Sequence, residues 1–439
     1  MATQAQDQDR ARITEHPTHV RYWVIVFAVT LAIITYIDRV AMSFAAPSVS
    51  RDLGLTRAQM GLAFSAFVTA YALFEIPSGF LGDWMGPRRV LMRIVIWWSC
   101  FTALTGATWN FASLFCTQAL FGAGEAGCFP NLTRAFTTWL PRQERVRAQG
   151  IMWMAARWGG AFTPPLVFLI FKVMSWRRAF MLFGLIGLIW ALFFFRWFRD
   201  DPRDNRKINA AELELLRENR SLAAKHGHVP WAKFARSRTV WMLCAQYFCL
   251  SYGWYFYITW LPTYLQESRG VEIGKSALLS VLPLFLGGLG SLTCGLISTP
   301  MVRLTHSVAR TRKLMACIGF TGASLLLILS VHLANPVAAM VAMGFASFCN
   351  DLVMPGSWGS CMDVGGKYAG TLSGTMNMMG NLGGAISPTA ISLILRWTHN
   401  NWDATFYVSA AVYFCGSFFW LLMDPVTPIE AAEAQENVV

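Results

Sequence analysis

Long apolar runs alternate with short polar connections along almost the whole of this 439-residue chain. A helix needs about 20 mostly apolar residues to cross the hydrocarbon core of a bilayer. By that measure the pattern predicts twelve spans, near 22–46, 59–81, 90–109, 111–136, 149–173, 177–198, 239–265, 274–302, 312–334, 336–362, 367–396 and 401–424. One polar stretch, 199–238, divides them six and six. The expected organisation is a tail at 1–20, a six-helix bundle at 21–198, a central loop at 199–238, a second bundle at 239–424 and a tail at 425–439. The fold class is an all-α membrane protein of two pseudo-symmetric six-helix bundles.

Composition supports the class: 55% of residues are hydrophobic and 14% charged, too apolar for a soluble enzyme of this length. The net charge of +12 does not point to nucleic acid, because the basic residues sit in short connections between apolar runs. Arg203, Arg206, Lys207, Arg217, Arg220, Lys225, Lys233, Arg236 and Arg238 crowd the central loop, which places it in the cytoplasm. An even number of spans then puts both termini there. Asn209 and Glu212 have capping-box spacing ahead of a short surface helix, "AELELLRENRSLAAK". The first twenty residues are polar and the first apolar run is long enough to remain in the membrane, so no cleavable signal is expected. The ten cysteines lack metal or disulfide spacing; no metal and no cofactor is expected.

The halves echo each other. "GIMWMAARWGGAFTP" (150–164) aligns without gaps on "GTMNMMGNLGGAISP" (374–388), with seven of fifteen positions identical. More weakly, Glu125 precedes Pro130 by five residues, as Asn350 precedes Pro355. Parallel six-span repeats build transporters with a central site between two rocking halves; recurrent Gly-rich packing is the plainer alternative.

"GFLGDWMGPRRVL" (79–91) resembles the signature between the second and third spans of the major facilitator superfamily, with Gly79, Asp83, Gly86 and Arg88 at pattern positions. The physical logic is a tight glycine-permitted turn, with Asp83 free to interact with a helix end of the other bundle and hold a gate shut. In the second half, Thr299 stands where the resemblance leads one to expect an acid. "YIDRVAMSFAAP", "FGAGEAGCFPN", "WLPRQERVRAQG", "ITWLPTYL" and "GTLSGTMNMMGNLGG" resemble the anion:cation symporter branch of that superfamily, which includes bacterial sugar-acid permeases of the galactonate, glucarate and hexuronate type. The resemblance implies a carboxylate substrate moved with protons by alternating access, in a monomer of the bacterial inner membrane.

The candidate residues follow. Asp38 and Arg39 lie inside the first span, where a charge costs on the order of 3 kcal/mol or more. Arg39 shares a helical stripe with Thr35 and Ser43, and a guanidinium fork suits a carboxylate. Asp38 points about 100° away; the alternative is a static ion pair, which adjacent helix positions disfavour. The resemblance assigns the anion to Arg39, a proton to Asp38 and the cavity wall to Tyr36. Glu125, in a Gly-rich helix, is the second proton candidate, with a neutral structural glutamate as its alternative. Asp351 is a further carboxyl, or a packing partner of Asn350. Tyr71, Tyr252, Tyr255, Ser357, Trp358, Asn377 and Asn381 complete a set of hydroxyls, amides and aromatic faces for substrate binding, although helix packing explains each of them taken alone.

One departure from the branch pattern stands out. Gln118, seven residues before Glu125, occupies a position where an arginine is usual in the branch. Arg157, mid-span in "WMAARWGGAF", is its expected replacement for substrate charge; neutralisation of Glu125 or Asp351 is the competing reading. A membrane enzyme is disfavoured, because no nucleophile–base set appears. A receptor is disfavoured as well, because the central loop is too short for an output domain.

Overall fold

The structure is a computed structural model describing residues 16–223, 228–272 and 279–430. The tail residues 1–15 and 431–439, Lys225 with its neighbours, and the expected start of the eighth span at 274–278 lie outside the described residues. Twelve helical spans form, and no strand occurs among the described residues. They are α1 (Trp23–Leu53), α2 (Arg57–Met85), α3 (Pro87–Thr105), α4 (Phe111–Glu125, continued as Cys128–Trp139), α5 (Arg142–Val173) and α6 (Trp176–Trp197). The second set is α7 (Arg238–Thr259, continued as Leu261–Glu267), α8 (Val281–Thr305), α9 (Val308–His332), α10 (Pro336–Gly365), α11 (Ala369–Trp397) and α12 (Trp402–Leu422).

Two spans differ from their expected continuous form. The fourth breaks after Glu125, because Ala126 is extended and Gly127 has φ +81°, a left-handed conformation that favours glycine. Ser78 of α2 packs where a Gly127 side chain would stand, so the break also lets two helices approach. The seventh breaks at Trp260, with Pro262 opening the next short helix where its missing N–H is not needed. Breaks at this depth are tolerated when protein covers the freed backbone groups.

The expected surface helix shrinks to Ala210–Leu215, followed by a 3-10 turn from Arg217 to Ala223. The capping box is half formed. Asn209 accepts from the Glu212 amide, but the Glu212 carboxylate turns to the N-terminal segment instead. It accepts from the Thr18 hydroxyl, the Val20 and Arg21 amides and the Arg21 guanidinium. Burial raises the Glu212 carboxyl, and these bonds more than offset that, holding it below the usual carboxylate range.

Two long helix pairs join the bundles: α2 with α11, and α5 with α8. The second part of α4 also meets α11, and α5 meets α10, from the face carrying the termini to mid-membrane. On the opposite side α1 and α7 scarcely touch. The bundles are therefore closed toward the termini and parted away from them.

Candidate functional site

Arg39 is the centre of the site. Its guanidinium donates to Glu125 Oε1 at 2.6 Å and lies 4.4 Å from the Tyr71 ring centroid. The Arg39 side chain is 23% exposed while Glu125 is fully buried, and the Arg39 Nη2 is itself buried without a protein partner. Tyr36 and Phe67 flank the guanidinium, with ring centroids 5.9 and 5.5 Å away. Asp38 does not pair with Arg39; it is buried against α3, where the Thr102 hydroxyl approaches it at 3.5 Å. One oxygen of Asp38 and one of Glu125 have no protein partner.

From α11, Asn377 donates to the Tyr71 hydroxyl at 3.3 Å and to Glu75 Oε1 at 2.7 Å, and Asn381 donates to the Asn377 carbonyl at 3.0 Å. The half-buried Tyr255 of α7 lies against the same stretch of α11, beside Gly384. Tyr36, Arg39, Tyr71, Tyr255, Glu125, Asn377 and Asn381 thus occupy one region between the bundles. Beneath it, Phe129 and Trp153 of the first bundle stack at 4.5 Å, and Trp153 meets Trp358 of the second at 5.2 Å. Trp358 donates to the Tyr247 hydroxyl, and Ser357 to Gln246, both fully buried. They lie in this aromatic floor, not on an accessible wall. Tyr252 is buried in α7.

Arg157 sits in a second charged pair. Its guanidinium donates to both oxygens of Asp351 at 2.6 and 2.7 Å and stacks 3.3 Å from the Trp254 ring centroid. This fork crosses from α5 to α10 and so joins the bundles, whereas the Arg39–Glu125 pair lies within the first. Gln118 faces neither arginine; it donates to Thr105 in the contact of α3 with α4.

At the termini face, Asp83 accepts from the Gly370 amide at 3.0 Å, the Thr371 amide at 2.6 Å and the Thr371 hydroxyl at 2.7 Å. These are first-turn amides of α11, which have no partner within the helix. Arg134 of α4 adds an ion pair with Asp83 at 3.3 Å. Gly79 gives α11 close approach, Gly86 turns the chain at φ +88°, and the Arg88 amide donates to Asp200.

Two residues escaped the sequence reading. Glu75, in "YALFEIPSG", is a further fully buried carboxylate, and its signal was a lone charge in an apolar run. Asp363, at the end of α10, gathers Arg142, Arg145 and Arg312 at 3.1, 3.0 and 2.6 Å. It stands beside a predicted span end, where a charge needs no explanation.

Residues 28–388 match the family description Major Facilitator Superfamily. A Cupriavidus necator protein named "Probable sulfoacetate transporter" is 33% identical over 421 residues, covering 95% of this chain and 97% of that one. The "Hexuronate transporter" of Bacillus subtilis is 27% identical over 419 residues, covering 95% and 98%. Among solved structures, the Escherichia coli fucose:proton symporter superposes with a TM-score of 0.69 at 14% identity, covering 92% of this chain and 99% of that one. At that identity the likeness shows the fold alone.

Proposed function

Because this chain belongs to the Major Facilitator Superfamily, and is a transporter and not an enzyme, we propose that it moves a small organic anion together with protons. The observation that carries the reading is the part-exposed Arg39, held by the buried carboxylate of Glu125 and with its Nη2 left without a protein partner. An incoming carboxylate competes for the same guanidinium. Once displaced, Glu125 is a buried charge without its cation, a situation that costs about 3–5 kcal/mol, which a proton relieves. Anion binding and proton uptake are thereby linked. Asp38 of α1, buried against α3 and away from the guanidinium, is the second proton carrier. Tyr36, Tyr71, Tyr255, Asn377 and Asn381 contact the remainder of the substrate, and Arg157 contributes charge recognition once its fork to Asp351 opens. The termini face is cytoplasmic, so the structure is closed inward, in a monomer of the bacterial inner membrane.

Two substrate classes are supported. The hexuronate relative, with the amides and hydroxyls around Arg39, supports a sugar acid. The sulfoacetate relative, at higher identity, supports a shorter acid carrying two anionic groups. Uptake of labelled hexuronate and labelled sulfoacetate into proteoliposomes, under a proton or a sodium gradient, decides between them. Glu125→Gln should lose uphill accumulation and retain substrate exchange, because exchange need not release the proton. Normal accumulation by that variant, or wild-type uptake driven by sodium alone, overturns the coupling.

A further inference from the structure

Glu75 has no place in the scheme above, although its surroundings are unusual for a carboxyl group. It lies on α2 where that helix presses on α11, eight residues before Asp83 and therefore about 12 Å from it along the helix axis. One oxygen accepts from Asn377 across the bundle interface; the other is buried without a protein partner. The titratable and charged groups facing it are Tyr71 on its own helix, Arg39 from α1, and Glu125 and Cys128 from α4. From α11 it meets the neutral Asn377. The one cation among these is already committed to Glu125 and stacks over the Tyr71 ring.

Packing closes the route to solvation from the termini face. A side chain at Gly374 of α11 would stand 2.7 Å from the Glu75 carbonyl, and one at Gly79 would stand 2.3 Å from the Gly370 carbonyl. The helices touch backbone to backbone at Glu75 and one turn nearer the termini, so while they stay together the carboxyl is sealed from the termini face. An ionised carboxylate there has only neutral donors, Asn377 and the Tyr71 hydroxyl, and burying a charge without a charged partner is costly. Separation of α2 from α11 removes that cost by admitting water.

We propose that Glu75 is a proton-binding residue of this gate. With Glu75 neutral, α2 packs on α11 and the termini face is closed; ionisation drives the two helices apart. The closed packing is stabilised at low pH and loses that stabilisation as pH rises, because the closed state favours the protonated form. The proton exchanges on the side the gate opens to, so Glu75 sets the opening equilibrium and is not itself a carrier of coupled protons. The proposal rests on the transport reading only in requiring a gate that opens, and its test needs no substrate.

The test places spin labels at Arg89→Cys and Arg310→Cys, exposed positions of the two bundles on the termini face, with the exposed Cys100, Cys116 and Cys415 replaced by serine. Distances between the labels are measured across pH in lipid nanodiscs. The labelled protein should shift toward the longer distance as pH rises, and Glu75→Gln, which keeps an acceptor for Asn377, should hold the short distance throughout. Glu75→Ser, the residue found at the matching position 291 of α8, is the second variant and should behave likewise. A pH-dependent separation that survives in either variant, or none in the unmodified background, overturns the proposal. Failure of proton-coupled uptake would show only in the uptake assay and leaves this measurement intact.

Discussion

The α2–α11 and α8–α5 contacts are copies of one another, and their difference lies in charge, not in packing. Gly374 meets the Glu75 carbonyl in the first, and Gly150, its repeat partner, meets the Ser291 carbonyl in the second. Four residues on stand Gly79 and Gly295; eight residues on stand Asp83 and Thr299. The close approach is retained while both acids of the first contact are missing from the second. The cause is where the partner helix begins. α11 starts at Ala369, so the Gly370 and Thr371 amides are unbonded and Asp83 caps them. α5 starts at Arg142, so the matching Val146 and Arg147 amides lie a turn inside the helix. There the aspartate comes from α10 instead, as Asp363 with its three arginines. A cavity of about 340 Å³ lies beside Thr299 and Arg312.

The largest effects should come from the two aspartates. Asp83→Asn takes the Asp83 carboxylate away from the buried Arg134 and weakens its cap on α11, and removing one member of a buried pair costs about 3–5 kcal/mol. Asp363→Asn weakens three arginine contacts at once and should cost as much. Both variants should open the termini face, read as a longer distance between labels on the two bundles. If only one does, a single latch holds the gate and the other contact merely follows it.

Next in size is the charged fork that crosses the bundles at mid-membrane. Arg157→Gln leaves Asp351 buried and uncompensated, for a loss of about 3 kcal/mol in thermal stability. Adding Asp351→Asn should restore most of that loss. A variant that keeps its stability but loses substrate affinity would instead make Arg157 a substrate ligand in the closed state. Arg157→Gln with Gln118→Arg addresses the relocated charge directly, and recovery of uptake there would support it. Gln118 now bonds Thr105 and faces neither pair, so the added arginine has to leave that contact to act.

Much of the arrangement was legible in the chain. Twelve apolar runs became twelve spans, because backbone groups in lipid must be satisfied within a helix and run length sets the count. The repeat placed α5 and α11 in corresponding positions, and Asp83 could be read as meeting a helix end. The partners of the charges were legible at most as alternatives, with Asp351 or Glu125 set against substrate for Arg157. Helix geometry argued against pairing Asp38 with Arg39 but named no partner for Arg39; that partner is Glu125, 86 residues away. Arg157 finds Asp351 at a separation of 194. The break after Glu125 was masked because apolar residues continue on both sides of Gly127. Glu75 was passed over in a run read for hydrophobicity, although a lone mid-span carboxylate is itself a signal.

The smallest expected effect is the sharpest test of the comparison. If an acid alone made the latch, Thr299→Asp would give α8 the device that Asp83 gives α2, and the second contact would tighten. The structure predicts otherwise. The amides facing position 299 belong to the second turn of α5 and already bond within the helix, so a carboxylate there gains no backbone donor. Arg303 and Arg312 line the adjoining cavity; Arg312 is held by Asp363 and the Pro425 carbonyl, while Arg303 is solvent-exposed. An exposed ion pair adds roughly 0–1 kcal/mol. Thr299→Asp should therefore move the label distance and the melting temperature little. Trimming α5 should change that result: Gln143→Gly with Glu144→Gly, weakening its first turn, would free amides nearer position 299. A clear stabilisation by Thr299→Asp only in that background would show that helix start decides where the acid belongs. Full tightening by Thr299→Asp alone would show instead that sequence drift removed a latch the geometry still accepts.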